Sequence, residues 1–91
     1  MEASATATHQ AHTTAFVSTN EQMHAAMFDD TLSGTTGVTV YVSGDQLVCA
    51  NVGDSRAVIA STIDGKLRVS ALSNDQTPFR KDERERLKKM V

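Results

Sequence analysis

Tryptophan is absent from this sequence, and tyrosine, cysteine and proline each occur once. With three phenylalanines and that single Tyr41, aromatic packing has little to draw on. One cysteine, Cys49, excludes an internal disulfide. No apolar run approaches the roughly 20 residues of a membrane-crossing helix, so no membrane partner is expected. The N-terminus shows neither a basic head nor the hydrophobic block of a secretory signal. At 91 residues the sequence accounts for one small domain and not two. A chain of this size buries only about 60% of its unfolded surface, so marginal stability is expected.

Charge is present but unevenly spread. The formal net charge is −2. Residues 80–91 hold six basic residues against three acidic ones, a local +3, and the remainder carries −5. The basic stretch lacks interleaved aromatics and adjoins an acidic body, so a nucleic-acid partner is not expected. It reads better as a helix with its charges ordered to suit its dipole, acids Asp82, Glu83 and Glu85 early and Lys88 and Lys89 late. Cys49 lies mid-strand between Val48 and Ala50 and reads as a small apolar residue. A lone reduced cysteine suits an intracellular protein, cytoplasmic or nuclear.

Taken in order, residues 1–15 are rich in Ala, Thr and Ser without periodicity and read as a disordered arm. His9 and His12 have a spacing that holds metals on helices, but no third ligand stands near them in the sequence. A helix is expected from Ser18, which makes a capping box with Glu21 and has Phe16 ahead of it as a staple. Met23, Ala26 and Met27 give that helix an apolar stripe read as core. Asp29 and Asp30 are badly placed for its C-terminal dipole, so either the helix stops earlier or these acids answer to something else.

From Gly37 the period changes to two. Val38, Val40 and Val42 alternate with Thr39, Tyr41 and Ser43. Gly44-Asp45 marks a hairpin turn, and Val48, Ala50 and Val52 form the next apolar face. Apolar Leu47 and Cys49 on the other face make this strand a central one. Gly53-Asp54-Ser55 turns the chain again into an apolar strand from Ala57 to Ala60. Asp64-Gly65 signals another hairpin, leading to Leu67, Val69 and Ala71. Pro78 ends the sheet region. A last helix starts near Lys81, with Asp82–Arg86 and Glu85–Lys89 as i, i+4 pairs and Leu87, Met90 and Val91 as its apolar stripe. The fold class expected is α+β, an antiparallel sheet of about four strands flanked by two helices.

Four stretches together resemble one known family. These are Ser33-Gly34-Thr35-Thr36, then Ala50-Asn51-Val52-Gly53-Asp54-Ser55-Arg56-Ala57-Val58, then Leu72-Ser73-Asn74-Asp75-Gln76-Thr77-Pro78, then Glu83-x-x-Arg86-Leu87. In order and spacing they are similar to the middle of the metal-dependent type 2C Ser/Thr protein phosphatases, in a form resembling plant members. The third stretch is similar to the family's Leu-Thr-x-Asp-His-x-Pro, with Gln76 where histidine is common. The resemblance runs from about Phe16 to Met90, so residues 16–91 are expected to form part of a phosphatase-like domain. It implies a partial piece of the family's αββα sandwich. It also implies a parent hydrolase that uses Mg²⁺ or Mn²⁺ to activate a water against a phosphoserine or phosphothreonine protein.

The family's acidic N-terminal strand, its Asp-Gly-His-Gly-Gly segment and its C-terminal Asp-Gly and Asp-Asn ligands have no counterpart in this sequence. What the resemblance transfers is therefore narrow. Asp54 matches an aspartate at the edge of the family's metal cluster and is a metal ligand only in the context of the full-length enzyme. Read from the residues alone, it is a turn aspartate accepting backbone amides. Arg56 is expected to pair with Asp54 or another acid, Asp75 to be a turn or cap residue, and Thr35 and Thr36 to open a strand. No catalytic or substrate-binding residue is assigned, and the chain alone is expected to bind no metal and to be inactive. The alternatives are an interaction module that self-associates through open sheet edges, or a small α+β domain without chemistry.

Overall fold

Alanine is the strongest helix former, and it stands at positions 5, 7, 11, 15 and 25 of the first helix. In the computed structural model, which describes residues 5–90, α1 spans Ala5–Ala25. The order continues with β1 Gly37–Ser43, β2 Gln46–Val52, β3 Val58–Ile63, β4 Lys66–Ala71 and α2 Lys81–Lys89. The fold class is α+β, as the pattern of periods predicts, with two helices and four antiparallel strands. The strands stand as two two-stranded sheets, β1 with β2 and β3 with β4. No helix among the described residues is long and apolar enough to cross a membrane.

α1 corrects the reading of the first fifteen residues. Residues 1–4 lie outside the described residues, and from Ala5 the expected arm is helical. A contact distant in sequence explains this. His9, His12, Thr13, Phe16 and Val17 recur at helical spacing and line a crevice against β2. The His12 ring meets Tyr41 edge to face, with centroids 5.4 Å apart, and its Nδ1 donates to the Thr8 carbonyl at 2.9 Å. Ser18 therefore sits inside the helix, where its Oγ accepts from Gln22 Nε2 at 2.9 Å rather than capping an end. The methionine stripe is also corrected. Met23 is 40% exposed, and Met27 lies beyond the helix end and is fully exposed.

The acids after α1 do find partners. Asp29 Oδ1 accepts from the Thr31 amide at 3.0 Å, closing an Asx-turn, and from the Thr31 hydroxyl at 2.5 Å. These bonds hold its carboxyl below the usual carboxylate range. Asp30 pairs with His24 Nδ1 at 2.6 Å.

Turn chemistry sets both hairpins. Gly44 takes φ +58° at the first central position, as a type II′ turn requires. Asp64 and Gly65 take +52° and +75°, the two positive values of a type I′ turn. In the first hairpin Tyr41 pairs with Val48 and Thr39 with Ala50. The face that α1 covers is thus the one carrying Tyr41, Val48, Ala50 and Val52. β2 is half-buried over most of its length, whereas every residue of β3 and β4 is exposed.

Among the described residues no apolar side chain is buried; the buried ones are Thr8, Ser73 and Glu83. Backbone ladders and polar side-chain bonds therefore carry much of the organisation. α2 shows the same bias. It has Asp82 and Glu83 in its first turn and Arg86, Lys88 and Lys89 in its last, the arrangement its dipole favours. Its ion pairs differ from those expected. Glu83 pairs with Arg86 one turn on, and Asp82 pairs with Arg80 before the helix, at 2.6 Å.

Candidate functional site

Gly53 ends β2 with φ +99°, a backbone conformation that L side chains rarely adopt. A Cβ there would meet Thr36 Cγ2 at 2.6 Å. Both the dihedral and the space thus require glycine, which brings the residues before β1 against the turn. Thr36 Oγ1 shares a hydrogen bond with Ser55 Oγ at 2.8 Å, and Thr35 Oγ1 donates to the Thr36 carbonyl at 3.0 Å.

From the other side, the loop after β4 fastens onto the same turn. The Gly53 amide donates to Gln76 Oε1 at 2.7 Å, and the Gln76 amide donates to the Gly53 carbonyl at 2.9 Å. Asn51 Nδ2 also reaches the Gly53 carbonyl at 3.1 Å and the Asn74 carbonyl at 3.3 Å. Its Oδ1 is buried without a hydrogen-bond partner among the described residues. Further along, the Ala57 amide donates to Ser73 Oγ at 3.0 Å and the Leu72 amide to the Ala57 carbonyl at 2.9 Å.

Arg56 does not pair with its neighbour Asp54. It grips Asp75 with both arms of its fork, Nε to Oδ1 at 2.9 Å and Nη2 to Oδ2 at 2.8 Å. The hydrogen-bonded guanidinium holds the Asp75 carboxyl below the usual range. Arg80 Nη1 donates to the Asp75 carbonyl at 2.8 Å, and its remaining fork holds Asp82, whose carboxyl is lowered in turn. A cleft of about 470 Å³ opens here, lined among others by Arg56, Asn74, Asp75, Phe79 and Arg80. On α2, Arg86 donates to the buried Glu83 carboxylate through Nε at 2.9 Å and through Nη2, which lowers its pKa.

Asp54 is exposed, at the apex of a turn whose flanking residues are fastened. The structure brings three of the four sequence stretches together around it, through Thr36, Gly53–Ala57 and Leu72–Gln76. Sequence reasoning noted Gln76 only for standing where histidine is common and left the roles of Asn51 and Ser73 unread. Their bonds span 16 to 23 residues in sequence, beyond any local pattern.

A hard divalent cation takes about six oxygen ligands, and Mg²⁺ demands near-octahedral geometry. The donors present do not fit such a group. Asp75 is taken by Arg56, and Asp54 offers one carboxylate. No cluster of three or more His, Cys, Asp or Glu side chains suited to a metal occurs among the described residues. His9 and His12 gain no third ligand, and His12 is committed to Thr8 and Tyr41.

Comparison with known proteins shows the family of the chain. The family model described as protein phosphatase 2C matches residues 2–90. "Probable protein phosphatase 2C 35" of Arabidopsis thaliana is 52% identical over 79 residues, which are 87% of this chain and 23% of the relative. "Probable protein phosphatase 2C 72" of the same plant is 41% identical over 76 residues, 82% of this chain and 23% of the relative. "Probable protein phosphatase 2C 61" is 45% identical over 62 residues, 67% of this chain and 19% of the relative. The chain thus spans less than a quarter of the length of each of these relatives. No solved structure matches.

Proposed function

Because this chain belongs to the protein phosphatase 2C family, we propose that it forms one wall of a protein serine/threonine phosphatase site. The observation that carries this reading is the Gly53-Asp54-Ser55-Arg56 turn, which leaves the Asp54 carboxylate exposed between two fastened flanks. In the whole enzyme Asp54 would stand as an outlying carboxylate toward Mg²⁺ or Mn²⁺, facing ligands supplied from elsewhere. Hydrolysis of phosphoserine and phosphothreonine proteins, in the cytoplasm or nucleus, is the activity of that larger assembly. The described donors do not make a metal cluster, and no step of hydrolysis is assigned to them. The 91-residue chain by itself is expected to be inactive.

Two assays test this. The purified chain is expected to show no Mn²⁺-dependent turnover of a generic phosphoester, and turnover abolished by Asp54→Asn would overturn that part. Residues 5–90 can also be grafted into the matching span of a full-length relative. The chimera is expected to retain phosphatase activity, and Asp54→Asn in it to lower activity by about 10–100-fold, the scale of groups that support a metal site. A chimera indifferent to that substitution would remove Asp54 from the site.

A second reading is favoured by the β3–β4 hairpin, where Val58, Ile59, Ile63, Leu67 and Val69 are all exposed. Such a hairpin offers open edges for pairing, and we propose self-association there as the alternative role. Light scattering on eluting fractions is expected to show a mass that rises with concentration. A constant monomer mass would leave this reading without support.

A further inference from the structure

We infer that Asp75 and Gln76 are positioning residues that aim Asp54, acting as a two-point clamp on the turn. The inference deepens the role proposed for Asp54 and rests on that reading. Its basis is an arrangement of adjacent residues. Two consecutive side chains of one loop reach back 19 and 23 residues and hold the two sides of a single exposed aspartate. Gln76 takes the residue before Asp54, accepting the Gly53 amide at 2.7 Å while its own amide returns a bond to the Gly53 carbonyl at 2.9 Å. Asp75 takes the second residue after Asp54, holding the Arg56 fork at 2.9 and 2.8 Å.

The two bonds to Gly53 fix the peptide planes on either side of it. Gly53 needs this because a glycine at φ +99° has no side chain to limit its rotation. Released at that point, the residue after it swings with the peptide. The bidentate pair on Arg56 fixes orientation as well as distance, since a fork on a carboxylate leaves little freedom to twist. Asp54 is thus held in direction by groups that do not touch it. Asp75 is itself fixed by Arg80, through its carbonyl, so the clamp has an anchored base. The Asn51 amide adds a second bond to the Gly53 carbonyl, whereas the Gln76 side chain is the sole hold on the Gly53 amide among the described residues.

The test uses the full chain and reads the Gly53 amide by hydrogen exchange, which requires neither metal nor turnover. Its result is therefore separate from that of the phosphatase assays. Gln76→Leu removes the acceptor and is expected to speed exchange of the Gly53 amide by about tenfold. Gln76→Glu keeps an oxygen at the same reach and is expected to restore protection to within about twofold. The Tyr41 and Val48 amides of the first hairpin serve as controls that neither variant should move. Arg56→Lys, which cannot make the fork, is expected to shift the Asp54 amide resonance while leaving Gly53 protected. The clamp is overturned if Gly53 exchanges at open-chain rate in the unaltered protein. It is equally overturned if the Glu variant is as unprotected as the Leu variant, or if Arg56→Lys leaves Asp54 unmoved.

Discussion

The two hairpins are built alike and held differently. Each has two strands of six or seven residues joined by a two-residue turn with positive φ. The first has α1 laid across one face, and β2 is half-buried for most of its length. The second is exposed at every position and, among the described residues, is fastened near its base, where Ala57 meets Leu72 and Ser73. Turn residues and a backbone ladder thus suffice to specify a hairpin, but a covering element is needed to locate it. The turn that carries Asp54 lies where the located hairpin hands over to the other one.

The substitution with the largest expected effect is Gly53→Ala, at the joint between the hairpins. It places a Cβ 2.6 Å from Thr36 and forces a non-glycine residue to φ +99°. The combined cost is about 3 kcal/mol, enough to abolish a cooperative urea transition in a chain of marginal stability. A transition unchanged from the parent would show that the joint tolerates a side chain. Next is Phe16→Ala, which removes a half-buried ring from the α1–β2 contact at a cost of about 1–2 kcal/mol. Amide exchange should accelerate in β1 and β2 and stay the same in β3 and β4. Equal acceleration in both would erase the distinction between the hairpins.

The pair at the foot of the second hairpin predicts a pH response. The folded pKa of Asp75 is depressed, first by its hydrogen bond to Arg56, so its contribution is present above the ordinary value of 3.8. That contribution is lost as pH falls through the folded value. A carboxyl ¹³C titration should place the Asp75 midpoint below 3.8, and Arg56→Gln should move it back up. The smallest effect is expected from Leu67→Thr, on the exposed face of β4, which should alter stability by no more than about 0.5 kcal/mol. A larger loss would mean that the second hairpin is covered in solution.

The parts legible in the sequence are those whose causes are local. Gly44-Asp45 and Asp64-Gly65 announced both hairpins because positive φ is a property of the turn residues themselves. The start of α2 followed from the ordering of its charges. α1 was not legible from Ala5, because the helical spacing of His9, His12, Thr13, Phe16 and Val17 straddles the expected arm and the segment after it, and the β2 face they meet lies beyond β1 in sequence. The capping signal at Ser18 and the methionine stripe misled for the same reason. Around the turn, Asp54 and Arg56 stood out by type and order, but the partners did not. Asp75 and Gln76 lie 19 and 23 residues away, and only the fold reveals that one loop serves both.

The two fastenings of the Asp54 turn differ in physical kind, and that difference gives each a separate response to ionic strength. Arg56 and Asp75 attract as full charges at an exposed site, where the Debye length shrinks from about 10 Å at 0.1 M salt to about 3 Å at 1 M. The bonds between Gln76 and Gly53 join neutral amides and feel no such screening. Added salt is thus expected to loosen the Arg56–Asp75 side of the turn while the Gln76–Gly53 side keeps its hold.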